Sequence, residues 1–149
     1  MTDKLTGLLE GSIPPGIYRL TDEESVPVIS QQAAQHGWQF FHLDGTQIAS
    51  GREFLQACAA ALQFPRYCDG SNWEALEDGL ADLTWAPTRS GYVLLYDEAG
   101  RLAAAAPEQF AIALDSLCLA VENWRATDTP FIVLLRGLDA AAAPQVAAL

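Results

Sequence analysis

Apolar residues recur along the chain with two periods, and each switch between them marks a new element. Gly16-Ile17-Tyr18-Arg19-Leu20 reads as a short strand. An acidic turn, Asp22-Glu23-Glu24, leads from it into a helix through Val28, Ile29, Ala33 and Ala34 that stops at Gly37. Trp38 to Leu43, WQFFHL, is a second strand ending at the turn pair Asp44-Gly45. Ser50-Gly51-Arg52-Glu53 is a capping-box pattern, and it opens a helix whose Phe54, Leu55, Cys58, Ala59 and Leu62 share a face before Phe64-Pro65 closes it. The run Tyr92 to Tyr96, YVLLY, is apolar throughout, as a strand buried on both faces should be. Pro107 suits the first position of a helix continuing through Phe110, Leu114, Leu117, Val121 and Trp124, and FIVLL at 131–135 is the last strand.

Strands alternating with helices at this spacing predict βαβ units. The expected fold is therefore α/β, a small parallel sheet of three core strands plus an extra N-terminal strand, flanked by helices. Residues 1–15 end in Ile13-Pro14-Pro15, which can neither continue a helix nor enter a sheet interior, and read as a loosely packed arm. Residues 16–37 read as a strand–helix extension packed on the domain, 38–137 as the domain itself, and 138–149 as a flexible Ala-rich tail.

One stretch concentrates the candidate chemistry. Gly70 to Trp85, GSNWEALEDGLADLTW, predicts an amphipathic helix with Ser71 and Glu74 as a capping box and Trp73, Leu76, Leu80 and Leu83 as its buried stripe. Glu74, Glu77, Asp78 and Asp82 recur three or four apart on the outward side, Asp69 sits just upstream, and no Lys or Arg occurs between Arg66 and Arg89. Carboxylates so spaced destabilise a helix by roughly 0.2–0.5 kcal/mol per pair. The helix N-terminus returns about 0.3–1 kcal/mol to an acid in the first turn, which helps Glu74 and hardly reaches Asp82. Such a face is either a solvated surface or a dock for something basic.

Charge favours the second partner type over others. Nineteen acids against eight bases in 149 residues give a net charge of −11, a field that repels nucleic acid and anionic membrane and suits a cationic protein. Cys58, Cys68 and Cys118 are odd in number and form no C-x-x-C pair, which speaks against a disulfide framework and a zinc site. Asp3 interrupts the start early and Leu8-Leu9 is too short for a signal peptide. Apolar runs reach about five residues, against the roughly 20 of a membrane span. A cytoplasmic protein without cofactor or metal is expected.

Catalytic patterns are sparse. His36 and His42 are the only histidines, and no serine lies in a G-x-S-x-G elbow. A calcium loop starting at Asp69 fails because Trp73 stands where an Asp or Asn ligand belongs and the central Gly is absent. Neither Gly7 with Gly11 nor Gly45 with Gly51 forms a phosphate-binding loop. Glu74 and Asp78 could pair as acid and base in a hydrolase, but neighbours on one exposed helix face make a poor cleft. No enzyme is expected, with that hydrolase as the enzymatic alternative.

Leu62-Gln63-Phe64-Pro65-Arg66-Tyr67 followed by Gly70-Ser71-Asn72-Trp73-Glu74-Ala75-Leu76-Glu77-Asp78 and, further on, Trp85 resembles the barstar family of ribonuclease inhibitors, over about residues 38 to 136. The resemblance implies a small parallel sheet flanked by helices and a protein that binds and blocks a cytotoxic, basic microbial ribonuclease inside the producing cell. In the family, the second helix and the loop before it plug the enzyme's active site, with carboxylates standing in for substrate phosphates. By position, Asn72, Glu74 and Asp78 match the loop Asn and the two helix acids. Tyr67 matches an interfacial aromatic, Trp85 the Trp after the helix, and Glu122 an acid contributed by a later helix. Glu77 stands where the family has an aromatic, and residues before 37 have no counterpart. The alternative is an interaction or regulatory domain that keeps this fold without a ribonuclease target.

Overall fold

Six of the seven residues of β3 (Gly91–Asp97) are buried, as a strand with neighbours on both edges and helices on both faces requires. The computed structural model describes residues 3–21, 23–65 and 71–149. Around β3 lie β1 (Ile17–Arg19), β2 (Trp38–Asp44), β4 (Phe131–Leu135) and β5 (Ala147–Ala148). The helices are α1 (Asp3–Glu10), α2 (Val26–Gln35), α3 (Gly51–Ala61), α4 (Trp73–Asp82), α5 (Gly100–Ala105) and α6 (Pro107–Arg125). The sheet has the order β2-β3-β4-β1-β5, with every pairing parallel.

Side chains alternate across this sheet and divide the core in two. Val93, Leu95, Ile132 and Leu134 face one side, where they meet Leu5, Leu8 and Leu9 of α1 and Ile29 and Ala33 of α2. Tyr92, Leu94, Tyr96, Phe131, Val133 and Leu135 face the other, under Phe54 of α3, Leu76 and Leu80 of α4, Leu102 of α5 and Phe110, Leu114 and Leu117 of α6. Among the described residues, the sheet is thus covered by two helices on one face and four on the other. Close approach at one point demands glycine: a Cβ on Gly45, just past β2, would stand 2.0 Å from the Asp97 carbonyl oxygen and 2.4 Å from that of Glu98.

The helices start largely where the sequence placed them. Ser50 caps α3 by accepting the Glu53 amide at 3.1 Å, and the Glu53 carboxylate accepts the Ala49 amide at 3.0 Å. Both ends of the chain differ from expectation. Residues 3–10 are not a loose arm but helix α1, because Leu5, Leu8 and Leu9 are spaced to cover sheet beside α2 and are all buried. The Leu9 carbonyl accepts the Trp38 indole N–H at 3.0 Å. Pro14 and Pro15 end the lead-in to β1 and do not prevent the helix before them. The Ala-rich tail is likewise tied down. Ala143 and Val146 are buried, and 147–148 pairs with the edge that β1 would otherwise leave open, Leu149 donating to the Arg19 carbonyl at 2.9 Å. The described sheet therefore has five strands, one more than expected.

Candidate functional site

Helix α4 begins at Trp73, not Gly70, and its cap is Asn72, whose side-chain oxygen accepts the Ala75 amide at 2.7 Å. The start is fixed by packing. Leu76 and Leu80 are fully buried, and in that register Trp73 stacks on Phe54, centroids 5.9 Å apart and 29° between planes. Asn72 then falls where the last extended residue lies, and its carbonyl oxygen serves as well as a serine hydroxyl.

Aromatic rings clamp the rest of the helix. A Cβ on Gly79 would stand 2.6 Å from the Phe64 ring, so the ring lies directly on the helix backbone. Phe64 meets Trp85 edge-on at 5.8 Å, and the Trp85 indole N–H donates to the Leu62 carbonyl at 2.8 Å. The Trp124 indole N–H of α6 donates to the Leu80 carbonyl at 2.6 Å. Leu83 ends the helix in the left-handed region, φ 52°, with its side chain fully buried.

The outward side carries the acids. Glu74 and Asp78, one turn apart, are exposed, and Glu77 and Asp82 are half-buried. Glu74, Glu77 and Asp78 form no ion pair with any described residue. Tyr67 lies outside the described residues. Trp85 is half-buried and committed to Leu62 and Phe64, at the far end of α4 from Asn72. Glu122 is exposed and ion-paired with Arg125, whose guanidinium also reaches the Pro15 carbonyl at 3.2 Å. Trp124 is one of the α6 residues that reach α4, and Glu122 stands two residues before it, about 200° around the same helix.

A second cluster, absent from the sequence reading, forms at the carboxyl edge of the sheet. Arg136, just after β4, grips Asp97 at the end of β3 with two hydrogen bonds, 2.9 Å to Oδ1 and 2.8 Å to Oδ2. It also donates to the Glu24 carbonyl at 2.6 Å, and His42 Nε2 lies 3.7 Å from Asp97 Oδ2. The hydrogen bonds from Arg136 hold the Asp97 carboxyl below its usual range, against the opposing effect of burial. The signal lay in the polar residue following each apolar strand run, which a parallel sheet must bring to one edge. Among the described residues no cluster of His, Cys, Asp or Glu could hold a metal ion, and no helix is long and apolar enough to cross a membrane.

The architecture is that of a parallel α/β protein presenting one acidic, aromatically braced helix. The comparisons place it more narrowly: the model of the family Barstar (barnase inhibitor) matches residues 38–136, and the chain belongs to that family. No curated protein matches it. Among solved structures it is similar to the Aeropyrum pernix ORC2 protein, solved as ADPNP–ADP complexes, with a TM-score of 0.59 at 16% identity. That similarity covers 95% of this chain but only 41% of the other, and it is a likeness of fold.

Proposed function

We propose that this protein is a non-enzymatic inhibitor that neutralises a basic ribonuclease inside the cell that makes it, residues 38–137 forming a barstar-like domain on which the N-terminal strand and helices are built. The observation that carries this reading is the pair Glu74 and Asp78, exposed one turn apart on a rigid helix with no ion pair to a described residue. Like charges held together at a cost to the helix suit a cationic cleft, in which they occupy the phosphate positions of RNA. Glu77 and Asp82 extend the same negative strip, and Asn72 and Tyr67 contact the enzyme from the loop side. Trp85 braces the helix end beside the interface, and Glu122 of α6 adds a further acid from the neighbouring helix.

Close charge pairs in the barnase–barstar complex itself couple by about 1.5–7 kcal/mol, which exceeds the intrahelical repulsion. The test measures RNA cleavage by a panel of small basic ribonucleases, barnase included, with increasing amounts of this protein. Stoichiometric inhibition of at least one is expected, and Glu74→Ala with Asp78→Ala should weaken it at least about a hundredfold, tenfold for each lost pair. Equal inhibition by the double variant, or none by the wild type across the panel, would sink the reading.

A further inference from the structure

The carboxyl edge of the sheet holds a crevice that the acidic helix leaves unused. The chain leaves β1 for α2 on one face of the sheet. From the adjacent β4 it leaves for 140–146, whose Ala143 and Val146 pack on the other face. Where neighbouring parallel strands send their connections to opposite faces, a crevice opens beyond their carboxyl ends, and open α/β sheets take their ligands there. Here it has a volume of about 550 Å³, within the range of small-molecule sites, and its charged lining is Arg19, Glu23, Asp97, Glu98 and Arg136.

Two of these charges are spent on each other, Arg136 and Asp97 being joined by paired hydrogen bonds. Arg19 is not spent. It ends β1 half-buried; its side chain makes no hydrogen bond or ion pair with a described residue, and its Nε is buried without a partner. One N–H of the guanidinium thus lacks the partner that buried polar groups normally find. In the same lining, Glu23 and Glu98 are exposed. Glu98 is held at φ 49° with its carboxylate against Gly137, where a Cβ would stand 3.0 Å from Oε2.

With the Arg136–Asp97 pair set aside, one guanidinium and two carboxylates remain among the described residues of the lining. A bare anion would meet Glu23 and Glu98, and a bare cation would meet Arg19. We infer that the crevice binds a small amino-acid-like zwitterion, its carboxylate on Arg19 and its ammonium toward Glu98 and Glu23. A basic side chain supplies a second cation for the second acid, so affinity runs L-lysine, then glycine, then L-glutamate. No residue of α4 takes part, and the site stands or falls apart from ribonuclease inhibition.

The test is calorimetric titration and thermal melting of the full chain at constant ionic strength with L-lysine, glycine and L-glutamate, and with acetate, methylamine and inorganic phosphate as single-sign controls. L-lysine is expected to bind and raise the melting temperature, while the controls do neither. Arg19→Gln should abolish the response while leaving the ligand-free melting temperature nearly unchanged, since the Arg19 side chain makes no hydrogen bond or ion pair with a described residue and glutamine keeps part of the stem. Glu98→Gln should weaken L-lysine at least about tenfold. Absence of L-lysine binding at millimolar concentration, binding retained in Arg19→Gln, or equal shifts from the controls would each overturn the assignment.

Discussion

The side-chain oxygen of Asn72 closes the first turn of α4, so its removal should be felt before any partner is added. Asn72→Ala is expected to lower unfolding stability by about 1 kcal/mol in a urea titration, the usual value of a lost cap, and Asn72→Asp to preserve it. An inhibition assay on the alanine variant alone would therefore mix two effects, and the aspartate separates them. Asp97 is a second residue with a readable consequence. Its carboxyl is held below the usual range chiefly by the Arg136 hydrogen bonds, so it favours the folded state above the unfolded carboxylate pKa of about 3.9 and loses that contribution as pH falls through its lower folded value. Urea midpoints from about pH 5 down to pH 2 should thus fall less steeply in Arg136→Gln than in the wild type. Buried Cys58 takes no part in such titration at moderate pH, since burial pushes its thiol up.

At the scale of elements, the proposed role of α4 lets stability be separated from binding. Replacing Glu74 and Asp78 by alanine relieves repulsion worth roughly 0.2–0.5 kcal/mol per pair. Loss of the helix-dipole gain at Glu74, about 0.3–1 kcal/mol, opposes this, so the free double variant should stay within about 1 kcal/mol of the wild type by urea midpoint, even as it loses inhibition. Helix α1 behaves in the opposite way. Leu8 is fully buried, and Leu8→Ala should cost about 2–5 kcal/mol; a cost near zero would return these residues to the status of an arm. The strands YVLLY and FIVLL were legible because continuous apolar runs of that length have few other uses, and WQFFHL because it is short, aromatic-rich and bounded by Gly37 and Asp44-Gly45. Helix α1 was hidden behind Pro14 and Pro15, whose local meaning says nothing of the residues before Gly11. Strand β5 was invisible in principle, since Ala147 and Ala148 carry no strand preference and pair only because β1 offers an edge. The acids of α4 were legible from their spacing, whereas its cap shifted by one residue because burial of Trp73, Leu76 and Leu80 sets the register. The Asp97–Arg136 pair, 39 residues apart in sequence, exists only through the β3–β4 register that sets Tyr96 beside Leu135.

Across the whole molecule, a net charge of −11 would set how the proposed basic partner is found. The association rate with a basic ribonuclease should fall by at least about tenfold between low and high salt while dissociation changes much less, as stopped-flow mixing can measure. The parallel sheet shared with the ORC2 protein at 16% identity says little about this, because activity resides in sites and not in the scaffold beneath them. Of the four tryptophans in the chain, Trp73, Trp85 and Trp124 surround α4, while Trp38 packs under α1 on the opposite face. The indole emission of this protein is therefore weighted toward the very surface at which an enzyme would be captured. A change of intensity or wavelength on mixing would report occupancy without any attached dye, and Trp38→Phe would leave that optical signal intact.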